Sequence, residues 1–161
     1  MMRMNENKDW NIDRVEIRRV TKDNYFKYDD AVYWRLNKRE RSNAEKEKRS
    51  HASRKELSSS DFYVFAAEYE DRFIGWIHIL VTPKIGKWKK GHLFVDEMWV
   101  MPDFRRKGVA MKLLTAIETV KQESQLDMVR LITDTEAARK LYEKYGFETV
   151  GQCVFMEKSN L

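Results

Sequence analysis

Three cations and a glycine, Arg105, Arg106, Lys107 and Gly108, stand between the extended run FVDEMWVMPDF and the helically spaced run MKLLTAIETV. Where a strand feeds a helix, the first helical turn presents backbone N–H groups with no intrahelical partner. The macrodipole adds partial positive charge, so such a turn can hold an anion, a phosphate above all. Gly108 lets the ligand come close, Val109 and Ala110 keep the turn compact, and the helix runs on through Met111. The three cations add charge and hydrogen-bond donors around the anion. The run is not a Walker loop, because no Gly-Lys-Ser/Thr follows, and it lacks the three glycines of the dinucleotide fingerprint. Just upstream, Asp96 and Glu97 offer two adjacent carboxylates on a strand. Side chains alternate along a strand, so one of them faces a given site, and Asp96 shares its face with Met98 and Val100. Downstream, Tyr142 places a phenol in a helical stripe.

These groups need elements to position them. VEIRRV (Val15 to Val20) reads as a strand, and TKDNYFKYDDAVYWRL as a helix with Tyr25, Tyr28 and Val32 on one side. Ser42 and Glu45 form a capping box for a second, solvated helix running through NAEKEKRSHASRKEL to the serines 58–60. DFYVFAAEYEDRFIGWIHILV is two β-rich runs about the turn-like EDR, a hairpin closed by Pro83. After an exposed loop comes the strand HLFVDEMWV. Beyond Gly108 the apolar positions Ala110, Leu113, Leu114, Ile117 and Val120 predict a helix that buries that stripe. MVRLI is a short strand. TEAARKLYEKYGF is a helix with Ala138, Leu141, Tyr142 and Tyr145 on one face, and Gly146 sits at its left-handed terminus. Two further strands are expected near Thr149 and over Val154 to Met156. The order β-α-α-β-β-β-α-β-α-β-β is an α/β arrangement around one mixed sheet.

The 161 residues are enough for one domain with a substantial core, being 42% hydrophobic and 12% aromatic. Residues 1–12 are expected to form a disordered tail and residues 13–161 a single domain. The net charge of +5, from 31 basic and 26 acidic residues, favours anionic ligands without requiring nucleic acid. The lone cysteine, Cys153, excludes an intrachain disulfide and reads as a small buried residue in a terminal strand. No apolar run suggests a membrane span, and MMRMNENKDW lacks the apolar region of a secretory signal, so a soluble cytoplasmic protein is expected. His51, His78 and His92 show no metal-ligand spacing, and no metal is expected.

VMPDFRRKGVA resembles the acetyl-CoA pyrophosphate loop of the GNAT acetyltransferase superfamily, Val-x-Pro-x-x-Arg-x-x-Gly-x-Gly/Ala after the fourth strand. AARKLYEKYGF resembles the same superfamily's second motif, an Ala, then Leu-Tyr, then Lys-x-Gly-Phe. The resemblance implies a GNAT-like acyl-CoA N-acyltransferase fold, with a mostly antiparallel mixed sheet flanked by helices. It also implies transfer of the acetyl group of acetyl-CoA to a primary amine by direct attack in a ternary complex. Such chemistry needs a base for the amine, donors for the developing oxyanion and a proton for the leaving thiolate. By resemblance, main-chain groups of Met98, Trp99 and Val100 hold the pantetheine and polarise the carbonyl. Arg105 to Ala110, with Met111 behind them, hold the pyrophosphate, and Tyr142 occupies the general-acid position. Asp96 is preferred to Glu97 as the acceptor-side carboxylate. Thr135 stands where the family often has an asparagine that touches the pantetheine.

Each assignment has a plainer counterpart. A tyrosine in an apolar stripe is usually core. Tyr25, Phe26, Tyr28, Tyr33 and Trp34 with Asp29 and Asp30 can line a site for a cationic amine or simply pack a helix with an acidic edge. Two other function classes stay open. One is a CoA-binding regulator without turnover. The other is a nucleic-acid contact through Arg35 to Lys55, which has nine Lys or Arg against three acidic residues, although interleaved Glu40, Glu45 and Glu47 favour a salt-bridged surface. The expected partners are acetyl-CoA and an amine acceptor, with a homodimer allowed and no membrane. The acceptor's identity is not written in the sequence.

Overall fold

The computed structural model describes residues 10–49, 55–86 and 91–159. Its elements are β1 (Glu16–Arg19), α1 (Tyr25–Asn37), α2 (Asn43–Glu47), β2 (Phe62–Tyr69), β3 (Arg72–Thr82), β4 (His92–Val100), α3 (Val109–Leu114), α4 (Ala116–Ser124), β5 (Val129–Leu131) and α5 (Glu136–Tyr145). The strands form one sheet in the order β1-β2-β3-β4-β5, antiparallel except for the parallel β4–β5 pair. The patterning predicts one mixed sheet, and its mostly antiparallel order with flanking helices is the one the resemblance implies. Among the described residues no helix is long and apolar enough to cross a membrane.

The β2–β3 hairpin turns at Glu70 and Asp71, both left-handed with φ of 48° and 64°, the type I′ geometry that matches strand twist. Both faces of these strands are covered, so they are buried almost continuously instead of alternately. One face takes α1, with Tyr28 edge-on to Trp76 at 5.2 Å. The other takes α3 and α4, which bury Leu113, Leu114, Ile117 and Val120 as the stripe predicts. The predicted single helix divides at Thr115, whose hydroxyl donates to the Lys112 carbonyl at 2.6 Å, a side-chain bond that bends helices.

Gly75 on β3 is required by close approach. A Cβ there would stand 2.7 Å from the Trp99 carbonyl oxygen on β4 and 3.3 Å from Leu113 on α3. Neither backbone can yield without spreading the β3–β4 ladder. Gly75→Ala should destabilise the protein by about 1–3 kcal/mol. Urea unfolding would show this as a lower midpoint at unchanged slope, and an unchanged midpoint would mean that the strands do not meet this closely.

The structure corrects four expectations. The second helix ends at Glu47 rather than near Leu57, and residues 50–54 of that expectation lie outside the described residues. Its capping box is present, with Glu45 N–H on the Ser42 hydroxyl at 3.3 Å and Ser42 N–H on the Glu45 carboxylate at 2.8 Å. A cap starts a helix, but this one has no apolar stripe to hold it further. The two terminal strands do not form. Residues 148–159 have no regular structure, and Val150, Val154, Phe155 and Met156 are exposed. β-propensity without a paired edge does not make a strand. Cys153 is consequently exposed rather than buried. The N-terminal boundary also moves, because the Trp10 ring lies 4.9 Å from Tyr69 and 5.4 Å from Phe104, and Ile12 packs against the core. Residues 1–9 lie outside the described residues.

Candidate active site

The β4 strand does not alternate through its two carboxylates. Val95 pairs with Ile79 and Glu97 with His78, so Asp96 is an extra residue in a β-bulge. Cross-strand partners share a face. Glu97 and Trp99 therefore lie with His78 and Trp76 on the α1 face, whereas Met98 and Val100 lie with Ile77 and Gly75 on the α3 face. The bulge interrupts the alternation from which Asp96 was expected to share its face with Met98 and Val100. The charges of both Asp96 and Glu97 act on His78. Asp96 is exposed and has no hydrogen bond or ion pair among the described residues, whereas Glu97 is half-buried and bound to Arg35 of α1.

Beyond the bulge, β4 parts from its neighbour. The β4–β5 ladder runs only from Leu93↔Val129 to Val95↔Leu131. Residues Asp96 to Val100 continue past the end of β5, so the main chain of Met98, Trp99 and Val100 borders a cleft between the two strands. At the far end of β4 the chain turns through Pro102–Phe104, where the N–H of Phe104 bonds the Met101 carbonyl at 2.9 Å. Arg105 Nε donates to the Val100 carbonyl at 2.9 Å, so this side chain ties the turn to the strand as well as carrying charge. Arg106 and Gly108 are both left-handed, at φ of 61° and 86°, and Gly108 is the N-cap of α3. The sharp turn leaves the first N–H groups of α3, through Val109, Ala110 and Met111, without helical acceptors. Lys107 reaches back over the Trp10 ring at 5.5 Å. Lys112 donates to the carbonyls of Ile12 and Val15 at 2.8 and 2.7 Å, fixing the N-terminal segment beneath the turn.

Across the cleft, α5 begins at Thr135, whose hydroxyl accepts the Ala138 N–H at 3.3 Å as an N-cap. That oxygen is committed to the helix start. Tyr142 is half-buried with its ring edge-on to Phe147 at 5.7 Å. Its hydroxyl makes no hydrogen bond among the described residues, and burial raises its pKa, so it keeps its proton at neutral pH.

The α1 face brings two candidates from the sequence, Glu97 and Tyr28, together with His78, for which the sequence suggested no role. Tyr28 Oη lies 2.8 Å from His78 Nε2, and His78 Nδ1 lies 3.8 Å from Glu97 Oε2. Burial lowers the His78 pKa, against the opposing pull of Glu97 and Asp96. Burial, with the nearby Glu97 charge, raises that of Tyr28. His78 and Glu97 lie on neighbouring strands and Tyr28 on a helix far away in the chain, so no spacing rule marks the three together. The aromatic set expected for a cationic amine divides. Tyr28 and Trp34 face the sheet, Trp34 at 6.2 Å from Trp99, while Tyr33 donates to Glu45 at 2.8 Å. Asp29 and Asp30 are both paired with Arg41, which leaves the acidic edge neutralised. Arg39 likewise pairs with Glu45, and Arg49 with Asp30 at 3.3 Å, so much of the basic 35–49 segment is a salt-bridged surface.

A cavity of about 390 Å³ opens between α1 and the β2–β3 turn, with Phe26, Trp34, Phe73 and Met101 in its lining. Its acids Asp30, Glu40 and Asp71 are tied to Arg49, Arg72 and Lys27 respectively, and it contains none of the groups at the bulge or the Gly108 turn. The residues expected to act on the cosubstrate lie instead along β4, the Gly108 turn and α5. Among the described residues no group of three or more His, Cys, Asp or Glu could hold a metal ion.

Comparison with known proteins identifies the family and the fold. The family described as the acetyltransferase (GNAT) family matches residues 22–147. Over 77 residues, 48% of this chain and 47% of the relative, the sequence is 34% identical to the uncharacterized N-acetyltransferase YafP of Escherichia coli (strain K12), so the chain spans about half the length of the curated relative it matches. The fold is similar to that of an aminoglycoside acetyltransferase from an uncultured soil metagenomic sample, crystallised in complex with trehalose. The TM-score is 0.70 at 19% identity, covering 92% of this chain and 97% of that one. It is also similar to the aminoglycoside N-acetyltransferase AAC(6')-Iy in complex with CoA, with a TM-score of 0.67 at 20% identity, covering 89% and 99%.

Proposed function

This chain belongs to the acetyltransferase (GNAT) family, and from that premise we propose that it transfers the acetyl group of acetyl-CoA to a primary amine by direct attack in a ternary complex. The observation that carries the reading is the parting of β4 from β5 beside the Gly108 turn. A pantetheine arm carries amides that can hydrogen-bond a strand edge, as an added strand would, and the unsatisfied N–H groups at the start of α3 suit a pyrophosphate. Met98, Trp99 and Val100 line the arm, and a main-chain N–H there polarises the thioester carbonyl. Arg105 braces the turn while Arg106 and Lys107 add charge.

On the acceptor side, an aliphatic amine with a pKa near 10 is roughly 0.1% free base at neutral pH, so its proton must be accepted before the nitrogen attacks. Asp96 takes that proton, since it is the carboxylate without a partner among the described residues. Glu97, already held by Arg35, accepts a hydrogen bond from the amine and orients it. Tyr142 gives its proton to the departing thiolate. Even an unshifted phenol lies about 1.5 pKa units above a thiol, and burial widens the gap, so transfer requires the hydroxyl to meet the sulfur as negative charge develops.

Thiol release from acetyl-CoA with a panel of amines tests the function. Amine-dependent release supports it. Binding of CoA with no release for any amine would instead assign a non-catalytic CoA-binding protein, and absence of CoA binding would overturn the reading of the cleft. Within an active protein, Asp96→Asn should lower turnover at saturating amine on the order of a hundredfold, with partial recovery as pH rises and free amine accumulates. Glu97→Gln should raise the acceptor KM and largely preserve kcat. The reverse pattern would exchange the two roles.

A further inference from the structure

We infer that His78 is a positioning residue, which holds the Glu97 carboxylate toward the acceptor by directing its Nδ1–H at Oε2 while the Tyr28 hydroxyl fixes its tautomer. The inference rests on the acceptor-side reading of Glu97 given above. It begins from the bulge, which places His78 directly opposite Glu97 on the α1 face, at the point where the β3–β4 register shifts. In a ladder without the bulge, Asp96 would stand opposite His78 and Glu97 opposite Ile77 on the other face, and no such contact would exist.

The two ring nitrogens have separate neighbours. Nε2 lies 2.8 Å from Tyr28 Oη, and Nδ1 lies 3.8 Å from Glu97 Oε2. A neutral imidazole has one donor and one acceptor. The proton belongs on Nδ1, where it faces a carboxylate. The opposite tautomer would set an imidazole lone pair against negative charge. Tyr28 must then donate to Nε2, and it has a proton to give because burial keeps its phenol un-ionised. The donor chain runs in one direction, from Tyr28 O–H to His78 and from His78 N–H to Glu97. A contraction of under an ångström brings the last contact within hydrogen-bond range.

Every charged group around the ring supports this arrangement. Glu97 and Asp96 from β4 favour a positive or donating edge, while Arg35 from α1 opposes a second positive charge. The Phe62 ring on β2 stands edge-on to the imidazole at 5.5 Å and restricts its rotation. The His78 side chain is only 14% exposed, against 34% for Glu97, so the acceptor meets Glu97 and not the imidazole. Arg35 binds Oε1 while His78 Nδ1 faces Oε2 from 3.8 Å, and each oxygen keeps a lone pair for the amine.

Nitrogen-15 NMR of the imidazole reads the tautomer without any enzymatic assay. The neutral Nδ1–H form is expected at pH 7 in the wild-type protein, with Nε2–H appearing in Tyr28→Phe. A dominant Nε2–H form or an imidazolium at pH 7 in the wild type would overturn the inference. The kinetic counterpart compares two substitutions in folded protein with normal CoA affinity. His78→Leu should raise the acceptor KM about tenfold with kcat changed less, and His78→Asn, whose amide N–H can replace Nδ1–H, should restore it to within about threefold. If His78→Asn is as impaired as His78→Leu, the ring fills space and positions nothing. A wild-type protein with the expected tautomer but no acetyl transfer would remove the proposed reaction and leave the Tyr28–His78–Glu97 geometry standing.

Discussion

Gly108→Val should abolish CoA binding, with calorimetry showing an affinity reduced by at least about a hundredfold. Gly108 has a φ of 86°, a region that a β-branched residue rarely enters, and its Cβ would press on the Ile12 side chain at 3.3 Å. Ile12 has little room to retreat, because Lys112 binds the carbonyls of Ile12 and Val15. The turn must rotate instead, and the N–H groups at the start of α3 then diverge. Losing two hydrogen bonds to a charged group costs about 3–6 kcal/mol, which covers the predicted loss. Because the same strain also lowers stability, a second variant is needed. Gly108→Asn tolerates the left-handed conformation and should fold normally while weakening CoA about tenfold through crowding. Wild-type affinity in a folded Gly108→Val protein would remove the turn from the cosubstrate site.

Tyr142→Phe should lower turnover on the order of ten- to a thousandfold, with CoA affinity little changed. The substitution keeps the ring that packs on Phe147 and deletes only the hydroxyl, which has no hydrogen-bond partner among the described residues. If Tyr142 served only as packing, removing an unsatisfied hydroxyl from a half-buried place would leave stability and turnover almost unchanged. The two roles therefore give opposite results. Since burial raises the phenol's pKa, the acid remains protonated throughout the neutral range, and the loss should be nearly independent of pH from about 6 to 9. Unchanged turnover would return Tyr142 to the apolar stripe of α5.

The elements that form from local chemistry were legible in the chain. Gly146 ends α5 in the left-handed region at φ 113°, the Glu70–Asp71 turn closes its hairpin, and the stripe from Leu113 to Val120 is buried. Each follows from a few neighbouring residues, whose backbone preference or periodicity is expressed wherever the segment lies. The turn at Gly108 was legible for the same reason, since a glycine between a strand and a helix is itself a statement about φ. The terminal strands were misread because strand formation depends on a partner edge as well as on composition, and Val154, Phe155 and Met156 have the composition without the edge.

The direction of the carboxylates could not be read in this way. DEMWV alternates on paper, but the β3–β4 register shifts between His78 and Ile79, and this one-residue slip carries Glu97 onto the α1 face. The shift is a property of two strands in contact, not of either alone. The same holds for His78 and Arg35, which meet Glu97 across the sheet and from a helix some sixty residues earlier in the chain, and for Tyr28, which reaches His78 from that helix. The chain determines its turns, caps and helical stripes locally, because their energies are set within one or two turns of backbone. Which face Glu97 takes, and which groups surround it there, depends on strand register and helix docking, whose energies arise only when distant segments pack together.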